Sequence, residues 1–168
     1  MAFTQKEFQI ILFNIGNVVY GISIENVFYI EKYMTPTKIP NSPAFVEGII
    51  NLRGSVIPVI DLRKRFGIKD AQITNKTKII IVGVDNRRFG FIVDSVSEVV
   101  TLKPEEIEPT LPTVSGLKSE FIYGIGKIKE KLVIILNVEK ILFADKNEEI
   151  VGKWYFKYQL WKFVWWTL

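Results

Sequence analysis

The chain has no cysteine and no histidine. The first absence removes disulfides, thiolate nucleophiles and cysteine-ligated zinc; the second removes the commonest metal ligand and the commonest general base. Much of enzyme chemistry is excluded on these two counts, and neither a metal nor a cofactor is expected. Long hydrophobic runs are missing from the start of the chain as well. Met1 to Phe13 carries Lys6 as its only cation, with no apolar block of signal-peptide length and no small-residue cleavage site, so it reads as a cytosolic start. The lack of a disulfide framework agrees with that compartment.

What is present favours a folded chain. Of 168 residues, 48% are hydrophobic and 24% charged, which is ordinary globular usage rather than the composition of disorder. The length allows one domain or two small barrels sharing an interface. Seven prolines and eleven glycines are spread along the sequence, as suits many short strands joined by turns. A net charge of +4 and a pI near 9.2 could indicate nucleic acid or an acidic membrane surface, but the cations are interleaved with acids. The one concentrated run, Arg63-Lys64-Arg65, reads as a solvated face at the end of a short helix.

Along the chain, Phe8 to Ile15 and Val18 to Ile24 form a hairpin across Gly16-Asn17, and Val27 to Glu31 continues extended. Thr35 to Pro40 is loop, because each proline biases its predecessor away from helix. Ser42-Pro43 signals a helix start that Gly48 ends. Ile49 to Leu52 and Ser55 to Ile60 are strands across Arg53-Gly54, with Pro58 placing the second at an edge or with that side turned from the ladder. Asp61 caps a short helix closed by Gly67, and residues 68–76 form a polar linker. In the second half, Thr77 to Val84 and Arg87 to Val93 pair across Asp85-Asn86, and Glu98 to Leu102 is a short strand. One turn falls at Pro104-Glu105-Glu106. Ile125 to Ile128 and Leu132 to Leu136 pair across Lys129-Glu130-Lys131, before a helix capped by Asn137 with Val138, Ile141 and Leu142 on one face.

An internal repeat is the most informative feature. Tyr20-Gly21-Ile22-Ser23-Ile24-Glu25-Asn26-Val27 returns as Phe89-Gly90-Phe91-Ile92-Val93-Asp94-Ser95-Val96, an offset of 69 residues (89 − 20). Gly48-Ile49, Leu52, Val56-Ile57, Val59-Ile60 and Asp61-Leu62 return from Gly124 to Val138, an offset of 76 (124 − 48). One small β unit therefore occurs twice. Alone it buries too little to be robust; closing each copy into a barrel and packing the two together hides edges and apolar surface.

The stretch from Pro43 to Arg63, with Gly48-Ile49-Ile50-Asn51-Leu52-Arg53-Gly54 and Pro58-Val59-Ile60-Asp61-Leu62-Arg63, closely resembles the signature of the CheW family, as do Phe89 to Val99 and Leu132 to Lys140. The resemblance spans Phe8 to Phe143. It implies a mainly β fold of two SH3-like five-stranded barrels on a shared hydrophobic interface, with short helices and a C-terminal helix. Residues 1–152 are then a single domain of two intertwined subdomains, approximately 16–67 and 77–136. It also implies a non-enzymatic adaptor of bacterial chemotaxis, cytoplasmic and recruited to membrane-bound receptor arrays. Its partners would be the regulatory domain of the histidine kinase CheA and the cytoplasmic tip of chemoreceptors, with neither nucleic acid nor membrane insertion. Arg53 matches an arginine the family associates with coupling, and Gly48, Val27, Val96 and Val99 match positions linked to partner contacts. Tyr29 stands where many members carry Glu, which puts an acidic contact from that position in doubt.

Rival readings are a basic barrel that binds nucleic acid and a hydrolase using carboxylates alone. Asp94 and Glu25 occupy equivalent places in the repeat, and a short acid accepting amides in the following turn accounts for both. Gly124-Ile125-Gly126 lacks the third glycine of a dinucleotide loop and reads as a strand entry. Residues 153–168 hold all four tryptophans with Lys153, Lys157 and Lys162, an aromatic and basic tail that departs from the family pattern and is too lysine-broken to span a membrane.

Overall fold

A computed structural model describes residues 7–68, 71–109 and 119–143; the aromatic tail expected over 153–168 lies outside the described residues. In chain order the elements are β1 (Phe8–Ile15), β2 (Val18–Ser23), β3 (Val27–Lys32), β4 (Val46–Leu52), β5 (Ser55–Asp61), α1 (Leu62–Arg65), β6 (Lys78–Val84), β7 (Arg87–Val93), β8 (Ser95–Leu102), β9 (Ile107–Glu108), β10 (Ile122–Ile128), β11 (Lys131–Leu136) and α2 (Val138–Phe143). Two sheets result, ordered β8-β1-β2-β11-β10-β9 and β3-β6-β7-β5-β4.

Both sequence offsets survive as identical strand registers. Phe13 faces Tyr20 in β1–β2, and Val82 faces Phe89 in β6–β7. Ile11 faces Val99 in β1–β8, and Ile80 faces Ile30 in β6–β3, with a bulge at the same place in each pair. The hairpins β4–β5 and β10–β11 correspond pair for pair, from Val46↔Ile60 against Ile122↔Leu136 to Leu52↔Ser55 against Ile128↔Lys131. Three of the hairpin turns place both residues at positive φ: Arg53-Gly54, Asp85-Asn86 and Lys129-Glu130. This is the tight-turn geometry whose twist matches that of the strands it joins.

The copies are not laid side by side. Each sends its first hairpin into the other's sheet: β1–β2 lies between β8 and β11, and β6–β7 lies between β3 and β5. Parallel contacts make the exchange, Tyr20↔Ile134 and Gly21↔Ile135 in one sheet, Gly90↔Val59 and Phe91↔Ile60 in the other. The expected subdomain spans, 16–67 and 77–136, therefore do not coincide with the sheets, because each sheet needs strands from both halves.

Strand alternation then divides the core into three. Ile50, Leu52, Ile57, Val59, Ile79, Ile81 and Ile92 fill one barrel, and Ile10, Leu12, Leu102, Val133 and Ile135 the other. The opposite faces of both sheets meet in one larger cluster holding Phe13, Tyr20, Phe89, Phe91 and Phe121, closed by Val138, Ile141 and Leu142 of α2. Burial pushes the Tyr20 phenol above its ordinary pKa.

Helix α1 is the polar joint. Asp61 caps it by accepting from the Arg63 amide at 2.9 Å, as expected, and Asn137 caps α2 by accepting from the Lys140 amide at 3.1 Å. The basic run, however, is a solvated face only at Lys64, which is exposed. Arg63 is buried, and its guanidinium donates to both Asp61 oxygens (2.9 and 3.0 Å), to Asp94 Oδ1 (3.2 Å) and to the Gln72 carbonyl (2.8 Å). Burial alone would lower its pKa, but the hydrogen bonds and charge of Asp61, then of Asp94, outweigh that and hold it above its ordinary value. Arg65 lies 4.6 Å from the Phe45 ring and 4.6 Å from the Phe121 ring, and donates to the Ile141 carbonyl of α2. Asp94 stands where the chain passes from β7 to β8, from one sheet to the other. Its Oδ2 accepts the Gly16 amide at 2.7 Å, in the turn after β1 rather than in the turn that follows it, so the expected local role is replaced by a long-range one.

Two smaller expectations are corrected, and a third, left open between two placements, is decided. Ser42-Pro43 starts no helix; the segment is a turn closed by the Val46 amide on the Pro43 carbonyl at 3.0 Å, and β-pairing claims the chain from Val46 onward. Pro58 lies in an interior strand, one residue ahead of the parallel ladder to β7 that begins at Val59, so its missing amide falls outside that ladder. Strand β8 begins at Ser95, three residues before the expected start, because it continues pairing along β1 to Asn14.

Two stability measurements follow. Phe89→Ala, at 0% exposure in the shared cluster, should cost about 3–5 kcal/mol in urea unfolding, while Leu132→Ala, at 60% exposure, should stay within about 0.5 kcal/mol. Arg63→Ala leaves Asp61 buried without its cation and should cost about 3–5 kcal/mol, read as a fall in the unfolding midpoint at unchanged m-value.

Candidate docking surface

The outermost strands β3 and β8 are equivalent in the repeat and carry most of the expected contact residues. Val27, the first residue of β3, and Val96, the second of β8, hold equivalent positions in the repeat, half-buried and packed on the shared cluster. Val99 is further along β8 and 49% exposed. Its equivalent on β3 is Ile30, also exposed, and Phe28 beside it is 51% exposed with the Arg88 guanidinium 4.5 Å above its ring. Apolar side chains thus face solvent on both strands, where alternation puts the sheet face turned away from the core. Sequence reasoning missed Phe28 and Ile30; the 69-residue offset that aligns Ile30 with Val99 was the signal that could have found Ile30.

Arg53 belongs to a different part of the surface. It occupies the β4–β5 turn at φ 51, and its side chain reaches across to β3, with Nη2 3.5 Å from Glu31 Oε1 and the guanidinium 4.1 Å from the centre of the Tyr29 ring. Because β3 and β4 are the two ends of their sheet, this contact helps close it into a barrel. Tyr29 supports the arginine with its ring, and a carboxylate is supplied by Glu31 two residues on. With the Arg53 side chain 62% exposed, the pair orients the guanidinium more than it stabilises the fold, which at such sites amounts to about 0–1 kcal/mol.

Gly48 is buried and offers no surface. At φ 142, a side chain there would run into the Thr37 carbonyl, where the 35–40 loop is bonded to β4 through Thr37 and Ile49. Gly124 is its equivalent, and a Cβ there would press on Ile107 and Glu108 of β9. The glycines are kept small so that a crossing segment can pass, which is a structural reason rather than a partner contact.

Asp94 and Glu25 line separate cavities, so the structure does not bring them together as a carboxylate pair. Among the described residues no group of three or more acids could hold a metal ion, and no helix is long and apolar enough to cross a membrane.

Comparison with known proteins agrees with this architecture. A family model described as a CheW-like domain matches residues 9–146. The chain is 38% identical over 141 residues to the chemotaxis protein CheW of Helicobacter pylori, covering 84% of this chain and 85% of that one. It is 35% identical over 138 residues to the protein of the same name from Klebsiella aerogenes, covering 82% and 83%. The crystal structure of the scaffolding protein TtCheW from Thermoanaerobacter tengcongensis matches with a TM-score of 0.77 at 39% identity, over 85% of this chain and 91% of that one. With the same fold across nearly all of its described length and sequence identity to match, the chain belongs to the CheW-like family of chemotaxis scaffold proteins.

Proposed function

We propose that this protein is a non-enzymatic adaptor that couples chemoreceptors to the histidine kinase CheA, working in the cytoplasm at membrane-bound receptor arrays. The observation that carries the reading is the pair of equivalent outer strands, β3 and β8, each with solvent-facing apolar residues, in a chain of the CheW-like family. Val27, Val96 and Val99 would contribute apolar contact, and Arg53, held by Tyr29 and Glu31 on a tight turn, would offer a planar donor fork to a partner carboxylate or carbonyl. Residues 1–152 would act as one unit, since neither sheet exists without both halves of the chain. Coupling in this sense is mechanical: a receptor state that binds one arrangement of the bridge better than another biases the kinase by that difference in affinity.

Pull-down of a purified CheA regulatory domain and a receptor cytoplasmic fragment tests the reading. Arg53→Ala should remain folded and lose coupling of kinase activity to receptor, and Val99→Arg should weaken capture of at least one partner about tenfold or more. Capture should change little between about 50 and 200 mM salt, whereas phosphate-dependent binding of nucleic acid would collapse over that range. Full coupling by both variants would remove these residues from the site.

A further inference from the structure

Two consecutive residues of β3 each carry an arginine. Arg53, on the β4–β5 turn, lies over the Tyr29 ring, and Arg88, near the start of β7, lies over the Phe28 ring with its guanidinium 4.5 Å from the centroid. Topology brings the two together. Strand β5 runs parallel to β7, so the β4–β5 turn falls at the same end of the sheet as the β6–β7 turn, and β3, antiparallel to β6, begins at that end. The bulge between Val27 and Tyr29 leaves Phe28 without an opposite number on β6. Its ring fills the space that a side chain at Gly83 would need, and Arg88 is the register partner of that glycine.

The two guanidiniums differ in what answers them. Arg53 has Glu31, whereas Arg88 is exposed and, among the described residues, meets the Phe28 ring and no carboxylate. Asp85 in the adjoining turn is taken by Arg87 at 3.9 Å. Two guanidiniums and one carboxylate leave a single positive charge at this end. An arginine laid on an aromatic face keeps its planar fork in one place, and the Glu31 contact shows that a carboxylate is a group such a fork takes here. The other barrel has no counterpart. The 69-residue offset carries Gly83, Arg88 and Phe28 to Asn14, Val19 and Ser97, and the register pairs Gly83↔Arg88 and Asn14↔Val19 correspond.

We propose that this end of the sheet receives an acidic segment of a protein partner, with one carboxylate on Arg88, a second on Arg53 in place of Glu31, and the Phe28 ring as the apolar ground between them. Because the arrangement occurs once in a duplicated fold, it serves one partner and not both. That the segment belongs to a signalling partner rests on the adaptor reading above; the preference of Arg88 and Phe28 for a carboxylate-bearing peptide does not. A lysine in place of Arg88 would supply the charge without the planar fork.

The test begins with capture of the kinase regulatory domain and of the receptor fragment by the full-length protein. Arg88→Ala should weaken one of the two about tenfold and leave the other unchanged, and Arg88→Lys should not restore the loss. Phe28→Leu should weaken the same capture, and the double variant should lose less than the product of the two single losses, because the ring acts partly by holding the arginine. Both positions are exposed, and dispersed amide spectra would verify that the variants fold. A titration followed by backbone amide NMR examines the site without either partner. The peptide N-acetyl-Glu-Ala-Glu amide should shift Phe28, Tyr29 and Arg88 saturably, its uncharged Gln-Ala-Gln analogue should not, and Arg88→Ala should abolish the response. Equal shifts from the two peptides, or unchanged capture of both partners by Arg88→Ala, overturns the proposal. So does a single-stranded oligonucleotide that binds more tightly than the acidic peptide with the same dependence on Arg88 and releases between about 50 and 200 mM salt, since the site would then belong to nucleic acid. If the unaltered protein captures neither partner, the adaptor reading fails, and the peptide titration decides the site separately.

Discussion

The parallel contacts of β2 with β11 and of β7 with β5 are the constraint on which everything else hangs. Each joins a hairpin from one half of the chain to strands from the other, so neither barrel closes until both halves are present. A five-stranded sheet with one apolar face buries little by itself. Exchange gives each sheet a filled interior and turns its second face onto a common core, where Phe13, Tyr20, Phe89, Phe91 and Phe121 meet. Each barrel among the described residues is thus built from both repeats rather than from one.

Such a joint needs its polar groups satisfied. The chain crosses between sheets at two places, and the crossing at Asp94 is stitched by Arg63, whose donors reach Asp61, Asp94 and Gln72 in a buried setting. A buried charge without partners would be costly, so the arrangement ties α1, the linker and the β7–β8 junction into one geometry. Arg65, between two aromatic rings and the end of α2, extends the tie to the second helix. If the proposed adaptor role holds, a fixed relation between the barrels lets displacement at one surface be felt at another.

Any surface for the proposed partners lies in what this framework leaves outside. Residues that fill the barrels or let segments cross are buried, Gly48 among them. The outer strands β3 and β8 and the β4–β5 turn remain, carrying apolar side chains and one well-held arginine. Duplication supplies two such strands of different chemistry: Phe28 and Ile30 on one, Ser97 and Val99 on the other. Two dissimilar surfaces on one framework suit the proposed adaptor with two different partners.

Much of this was legible in the residues. Strand periodicity, turn pairs such as Asp85-Asn86, the caps at Asp61 and Asn137, and the two offsets are local or one-dimensional properties, and they sufficed for the strands and the duplication; the family came from the resemblance of Pro43 to Arg63, Phe89 to Val99 and Leu132 to Lys140. Arg53, Val27, Val96 and Val99 are singled out by resemblance alone, and Tyr29 as a departure from it. What the residues could not express was partnership between distant segments. A repeat says that two units are alike, not that they trade hairpins, because an exchanged and an unexchanged pair have the same alternation of apolar residues. Likewise Arg63 reads as a surface cation until Asp94 and Gln72 are brought to it, Gly48 reads as a stop until the Thr37 backbone lies across it, and the carboxylate beside Arg53 is Glu31 only once β3 and β4 meet. The sequence by itself determined the strands, their pattern and the copy number; the tertiary structure decided which strands pair, which charges are buried and which apolar residues are left to face a partner, since those depend on distances that no local preference encodes.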